Sequence, residues 1–262
     1  EAVRLMHAAG VPDDVLAFLP GDGARIGKTL LSDQRVRGVA FTGSNDTASV
    51  IARSLAARGG AIIPLIAETG GMNAMIVDSS ALPEQAVRDA VASAFDSAGQ
   101  RCSAARVLFV QEDIAGRMLP MLKGAMEELK VGDPLDYRTD VGPVIDEDAR
   151  KMLEAHKARM RGEAKVLIDL ALDPDTRNGT FVSPAAYEIG RISVLKREVF
   201  GPILHVIRFR ADRLAEVCDA VNATGYGLTL GLHTRIENTA AEGRRRARGG
   251  VGAAEVNRLA PP

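Results

Sequence analysis

Cysteine is scarce in this chain: Cys102 and Cys218 are its only two in 262 residues. They lie far apart and form no CxxC pair, which argues against a disulfide framework or a zinc cage and predicts a reducing, cytoplasmic setting. Histidine is nearly as sparse. His7, His156, His205 and His233 are scattered without metal-ligand spacing, so no metal is expected, and all four read as structural or surface residues. No apolar run approaches the ~20 residues of a membrane span. The opening EAVRLMHAAG carries charges in place of an apolar h-region, so neither a span nor a signal peptide is expected. The formal net charge of −1 lacks the basic surplus of a nucleic-acid binder. The one basic run, Arg244 to Arg248, follows a helical pattern and reads as a solvated face that favours the C-terminal helix dipole.

Hydrophobic residues make up 46% of the chain, enough for a sizeable core. The length suits one large domain or two modest ones. The first third alternates strand and helix signals. EAVRLMHAAG reads as a helix ending at Gly10, VLAFLP (15–20) as a short buried strand, and GDGARIGKTLLSD as a turn into a helix. VRGVAFTG (36–43) is the next strand, SNDTASVIARSLAAR a helix with Ser44 as its N-cap, and IIPLIAE (62–68) a third strand. This rhythm predicts a parallel sheet flanked by helices. Beyond a boundary near Gly70 and Gly71 it continues with NAMIVD as a strand, PEQAVRDAVASAF as a helix started by Pro83, RVLFVQ as a strand and two long helices. VLIDL, ILHVIRF and LTLGLHT read as further strands, and LDPDTRNG (172–179) as a surface loop.

Three short strings could carry chemistry. FTGS, Phe41 to Ser44, joins a strand to a helix whose N-terminal N–H groups suit an anion. ETGGMN places Glu68 at a strand end, where it can point into a crevice at the carboxyl edge of a sheet. FDSAGQRCSAARV sets Cys102 in a turn of small residues beside Arg101, a cation that could favour the thiolate. Each alone has an ordinary structural explanation: a common glycine turn, a solvated carboxylate, a small buried thiol. Cys218, at helical spacing among apolar residues, reads as core.

In combination the strings resemble the aldehyde dehydrogenase superfamily. FTGS, ETGG, GQRCS, REVFGP at Arg197 to Pro202 and VNR at Val256 to Arg258 occur in that family's order. More narrowly, IAETGGMNAMIVDSSALPEQ, SAFDSAGQRCSA and TGYGLTLGLHTRIE are similar to the L-glutamate γ-semialdehyde dehydrogenase domain of bifunctional proline-utilization enzymes. The resemblance implies an α/β chain with part of a Rossmann-type cofactor domain at 1–69 and a thiol-bearing catalytic domain at 70–262. It implies NAD as cofactor and a small aldehyde as substrate. Cys102 would be the nucleophile and Glu68 the base that activates water. Gly43 and Ser44 would face the cofactor pyrophosphate, Glu198 its nicotinamide ribose and Phe200 the nicotinamide, while Gly21 would line the adenosine end. Ser103 would help hold the substrate carboxylate.

The chain contains no tryptophan, so the family's Pro-Trp-Asn-Phe type motif, source of a second oxyanion donor, is absent. VNR leads into LAPP and not into a glycine-rich loop. Both ends read as cut, and the chain is expected to be an internal piece of a larger protein, its parent a homo-oligomer carrying a proline dehydrogenase domain. Other readings stay open: an aldehyde dehydrogenase of another substrate class, a thiol enzyme using His205 as base, or a non-catalytic interaction module.

Overall fold

The computed structural model describes residues 1–246 and the backbone of the strand at 254–257. The chain divides into two compact units, which meet between Thr69 and Gly70.

The first unit contains α1 (Ala2–Ala8), α2 (Gly23–Ser32), β1 (Val39–Gly43), α3 (Asn45–Ala57) and β2 (Leu65–Thr69). Asp22 starts α2 by accepting the Arg25 N–H at 2.8 Å, and Ser44 starts α3 by accepting the Thr47 N–H at 3.2 Å. β1 and β2 pair in parallel around α3, with Thr42 opposite Glu68. The apolar run at 15–20 forms no strand. Val15, Phe18 and Leu19 are exposed, Pro20 has no N–H to give a ladder, and no described strand lies beside the run. Among the described residues of this unit only Leu31 and Ile51 are buried apolar side chains.

The second unit is built on one seven-stranded sheet. Its elements are β3 (Ala74–Val77), α4 (Pro83–Phe95), β4 (Val107–Gln111), α5 (Glu112–Glu127), α6 (Glu147–Glu163), β5 (Lys165–Asp169), β6 (Ala185–Glu188), β7 (Ile203–Phe209), α7 (Leu214–Asn222), β8 (Leu230–His233), α8 (Glu237–Arg246) and β9 (Ala254–Asn257). The strand order is β5-β6-β7-β4-β3-β8-β9, parallel throughout except for the edge pair β5–β6. β3 and β4 are buried at every position, as expected of parallel strands covered on both faces. α4 shows how the sequence builds that cover. Pro83 presets its first turn, and Ala86, Val87, Ala90, Ala94 and Phe95 bury one face at three- and four-residue spacing. The 172–179 segment is a surface turn with Thr176 tucked under it. In the basic run, Arg244 pairs with Glu237 and Arg246 with Glu242 at the end of α8, while Arg248 lies outside the described residues.

Candidate active site

The parallel strands β7, β4, β3 and β8 are neighbours, and the residues just before each gather at their amino ends. These are Gly201 before β7, Arg106 before β4, Asn73 before β3 and Thr229 before β8. The second unit thus assembles its polar cluster at the amino edge of its sheet. Glu68, in the first unit, is exposed near the carboxyl end of β2, where the sequence placed it.

Cys102 sits on the loop that enters β4, and it is exposed. Three residues in a row, Ser97 (φ 56°), Ala98 (φ 53°) and Gly99 (φ 65°), take the left-handed conformation just before it. For Ser97 and Ala98 this costs ~1–2 kcal/mol each, a strain that persists only when the surroundings impose it. A tight turn follows, in which the Ala104 N–H donates to the Arg101 carbonyl at 3.1 Å with Cys102 and Ser103 between them.

Two buried side chains hold this loop from behind. Asn73 Nδ2 donates to the carbonyls of Cys102 (2.6 Å) and Ala104 (2.9 Å), while its Oδ1 accepts the Thr229 N–H (3.1 Å). Arg106, fully buried, donates from Nη1 to the Gly99 carbonyl (2.6 Å) and from Nη2 to the Arg101 carbonyl (2.9 Å). Its Nε and Nη2 also reach Glu198 Oε1, at 3.2 and 3.0 Å, and its guanidinium carbon lies 5.0 Å from the centre of the Phe200 ring. Burial pulls the Arg106 guanidinium below its ordinary pKa; the negative charges of Glu198 and then of a Cys102 thiolate act against that shift. Among the described residues, the N–H groups of Arg101, Cys102 and Ser103 donate to no acceptor.

Glu198 is thus anchored through one oxygen. The other accepts no hydrogen bond among the described residues and lies over Gly70, where a Cβ would collide with the carboxylate. A half-buried carboxylate with one oxygen fixed and one free fits a sugar hydroxyl. Phe200 is half-buried, with the guanidinium against its ring. Ser103 lines a cleft of about 310 Å³ with Asn73, Ser93, Thr229 and Gly231. In the first unit, Ser44 spends its hydroxyl on the cap of α3, and the first N–H groups of that helix have no intrahelical acceptor. Gly43 packs against the Phe41 ring, whose Cζ would be 2.5 Å from a Cβ there. Gly21 has φ 156° and lies against Ile26. The structure therefore brings Cys102, Glu198 and Phe200 into one cluster of the second unit, and Gly43, Ser44 and Glu68 to the carboxyl ends of β1 and β2 in the first.

Two sequence expectations change. Arg101 turns outward to Ser97 Oγ (3.1 Å) and Asp96 (3.9 Å), so the cation behind the cysteine loop is Arg106. Arg106 reads in sequence as the start of a strand, and nothing local marks it as buried. His205 makes a poor partner for the thiol. Its Nδ1 bonds the Arg106 carbonyl at 3.0 Å and its Nε2 faces His156 Nε2 at 2.9 Å, so both ring nitrogens are taken. Cys218 is buried, and burial pushes its thiol up. Arg258 of the VNR motif lies outside the described residues.

A cysteine on a strained loop over a seven-stranded parallel-rich sheet, with an anchored carboxylate beside it, defines a class: the chain belongs to the aldehyde dehydrogenase family, whose model matches residues 1–261. Among its relatives is the bifunctional protein PutA of Salmonella typhimurium, 50% identical over 92% of this chain. The 1-pyrroline-5-carboxylate dehydrogenase of Geobacillus kaustophilus is 32% identical over 89% of it. The chain spans 19% of the first relative's length and 45% of the second's. Among solved structures, proline utilization A of Bradyrhizobium japonicum superposes with a TM-score of 0.93 at 51% identity, covering 98% of this chain and 26% of that one. The 1-pyrroline-5-carboxylate dehydrogenase from Thermus with bound NAD gives 0.85 at 30% identity, covering 95% of this chain and 48% of that one. No helix among the described residues is long and apolar enough to cross a membrane.

Proposed function

We propose that this chain carries the NAD-dependent oxidation of L-glutamate γ-semialdehyde to L-glutamate, with residues 1–69 forming part of the cofactor domain and residues 70–262 the catalytic domain. The observation that carries the reading is the Cys102 loop itself: an exposed thiol on a backbone held in a costly conformation, with N–H groups at and beside it that have no acceptor among the described residues. The names of the PutA and 1-pyrroline-5-carboxylate dehydrogenase relatives point to the substrate.

In this reading the Cys102 thiolate attacks the aldehyde carbon and a carbon–sulfur bond forms. The oxyanion that develops is met by the Cys102 N–H. NAD, when bound, would supply the acceptor for the hydride lost from the Cys102 adduct as it becomes a thioester. Glu198 and Phe200 would hold its nicotinamide end, while Gly43, Ser44 and Gly21 would line the rest of its path. Glu68 takes a proton from water, the water oxygen attacks the thioester carbon, and the carbon–sulfur bond breaks to release the acid and the thiolate. Ser103 contacts the carboxylate that distinguishes glutamate semialdehyde from simple aldehydes. The whole protein would act in the cytoplasm as a homo-oligomer that also carries a proline dehydrogenase domain.

The test is NAD-dependent oxidation of glutamate semialdehyde beside short aliphatic aldehydes. It is run on this chain, on the chain extended at both ends to the length of its bifunctional relatives, and on Cys102→Ala in the extended form. Activity in the extended form that Cys102→Ala abolishes supports the reading. Efficient oxidation of the aliphatic aldehydes with none of the semialdehyde sinks the substrate assignment.

A further inference from the structure

We infer that Arg106 is a positioning residue that sets the nucleophile loop and the cofactor carboxylate together, an inference that rests on the dehydrogenase reading of Cys102 and Glu198. The guanidinium has five N–H donors in a planar fork, and four of them are placed here. Two go to backbone carbonyls on the loop, those of Gly99 and Arg101, and two go to Glu198 Oε1. The Arg101 carbonyl also accepts the Ala104 N–H, so Arg106 braces the very turn that presents Cys102. The fork lies against Phe200 as well. One rigid group thus bonds both the nucleophile loop and Glu198, with no hydrogen bond to the thiol among the described residues.

Arg106 is itself held on both sides. Its N–H donates to the Asn73 carbonyl at 2.9 Å. Its carbonyl accepts the His205 N–H and lies 3.0 Å from His205 Nδ1. Asn73, which takes the carbonyls of Cys102 and Ala104, completes the brace. With the carbonyls of residues 99, 101, 102 and 104 all engaged behind the loop, the N–H groups of Arg101, Cys102 and Ser103 are left without protein acceptors among the described residues. Successive free N–H groups of this kind favour a developing oxyanion or a thiolate.

A lysine at this position keeps the charge but not the fork, and its three donors cannot reproduce the four in-plane hydrogen bonds that the guanidinium makes to its three acceptors. The test compares Arg106→Lys, Glu198→Gln and the double variant Arg106→Met/Glu198→Gln, which strands no buried ion. Alkylation of Cys102 by iodoacetamide, followed by peptide mass spectrometry, needs neither substrate nor nucleotide, so it reads the loop even if the dehydrogenase assignment is wrong. Steady-state assays of the same proteins then separate kcat from the KM for NAD. We expect folded Arg106→Lys and double variants whose Cys102 alkylation slows by about tenfold or more, with kcat down by up to ~10²-fold in Arg106→Lys. Glu198→Gln should raise the KM for NAD and leave alkylation near the unmodified rate. Folded Arg106→Lys with unmodified alkylation overturns the inference. So does an equal loss of alkylation in Glu198→Gln, which would assign control to the ion pair and not to the carbonyl bonds. If neither Arg106 variant folds, the residue serves the fold alone and the inference fails. If the unmodified chain in its extended form oxidises no aldehyde, the dehydrogenase reading fails and the alkylation comparison still decides the role of Arg106.

Discussion

Arg106 and Glu198 form an ion pair in which the guanidinium is 0% and the carboxylate 14% exposed, with Nη2 and Oε1 3.0 Å apart. A pair this buried gains less from mutual attraction than it would lose if one partner were removed. Glu198→Ala should therefore cost ~3–5 kcal/mol by stranding the guanidinium, whereas Arg106→Met/Glu198→Ala should recover much of that loss. Urea unfolding of the two variants checks this. Equal destabilisation by both would mean that the stranded charge is not the cause.

Gly99 has φ 65°, and a Cβ there would run into the carbonyl oxygen of Gly201. Gly99→Ala combines left-handed strain with a backbone clash and should destabilise by more than ~2 kcal/mol. Gly116 is the contrasting case: it is exposed inside α5 and a Cβ there meets nothing within 4 Å. Gly116→Ala should stabilise by ~0.5–1 kcal/mol. Thermal unfolding of both variants, side by side, separates conformational freedom that the site uses from freedom that it does not.

Asn73 donates to two carbonyls and accepts one N–H while 3% exposed. Asn73→Asp keeps the shape and replaces a two-donor group by an acceptor that faces the carbonyls of Cys102 and Ala104. The expected result is a loss of ~2–3 kcal/mol in stability, from buried acceptors left without donors, and slower Cys102 alkylation. An unchanged unfolding midpoint in Asn73→Asp would contradict this account of the loop.

His205 is buried and its pKa is lowered to about 3, chiefly by desolvation and then by His156. The pKa of His156 is lowered to about 4, first by burial and then by Arg159. The hydrogen bonds form a chain of donors: Arg159 to His156 Nδ1 (3.5 Å), His156 Nε2 to His205 Nε2, and His205 Nδ1 to the Arg106 carbonyl. Both rings are neutral in the folded state, while in the unfolded chain they take up protons below about pH 6.5. Their contribution to stability is therefore full above that pH and declines as the pH falls from there towards the folded-state values. The urea midpoint should fall between about pH 7 and about pH 5, and fall less in His156→Gln/His205→Asn. An identical pH slope in the variant would remove the pair as a source of acid sensitivity.

Much of this was legible in the sequence, and the gaps have physical causes. α3 announced itself through Ser44 and α4 through Pro83, because caps and first-turn residues act locally. β6 was missed because Ala185, Ala186, Tyr187 and Glu188 carry no β-branched residue; its identity as a strand comes from β5 and β7 on either side. The run at 15–20 misled for the converse reason: an apolar stretch reads as a strand, but a strand needs a partner, and none of the described strands lies beside it. Cys102 stood out through its small-residue turn. Arg106 did not, because a buried arginine is defined by acceptors at residues 99, 101 and 198, and sequence spacing does not reveal that they converge.

In the proposed mechanism Cys102 forms a covalent intermediate, and Glu68 helps to hydrolyse it. This is tested most directly in Glu68→Gln, in the extended chain supplied with glutamate semialdehyde and NAD, quenched in acid and mapped by peptide mass spectrometry. The account predicts a burst of NADH followed by slow turnover, with the glutamyl group attached to the peptide that carries Cys102. Rapid turnover with no adduct on Cys102, or an adduct on another residue, would contradict it.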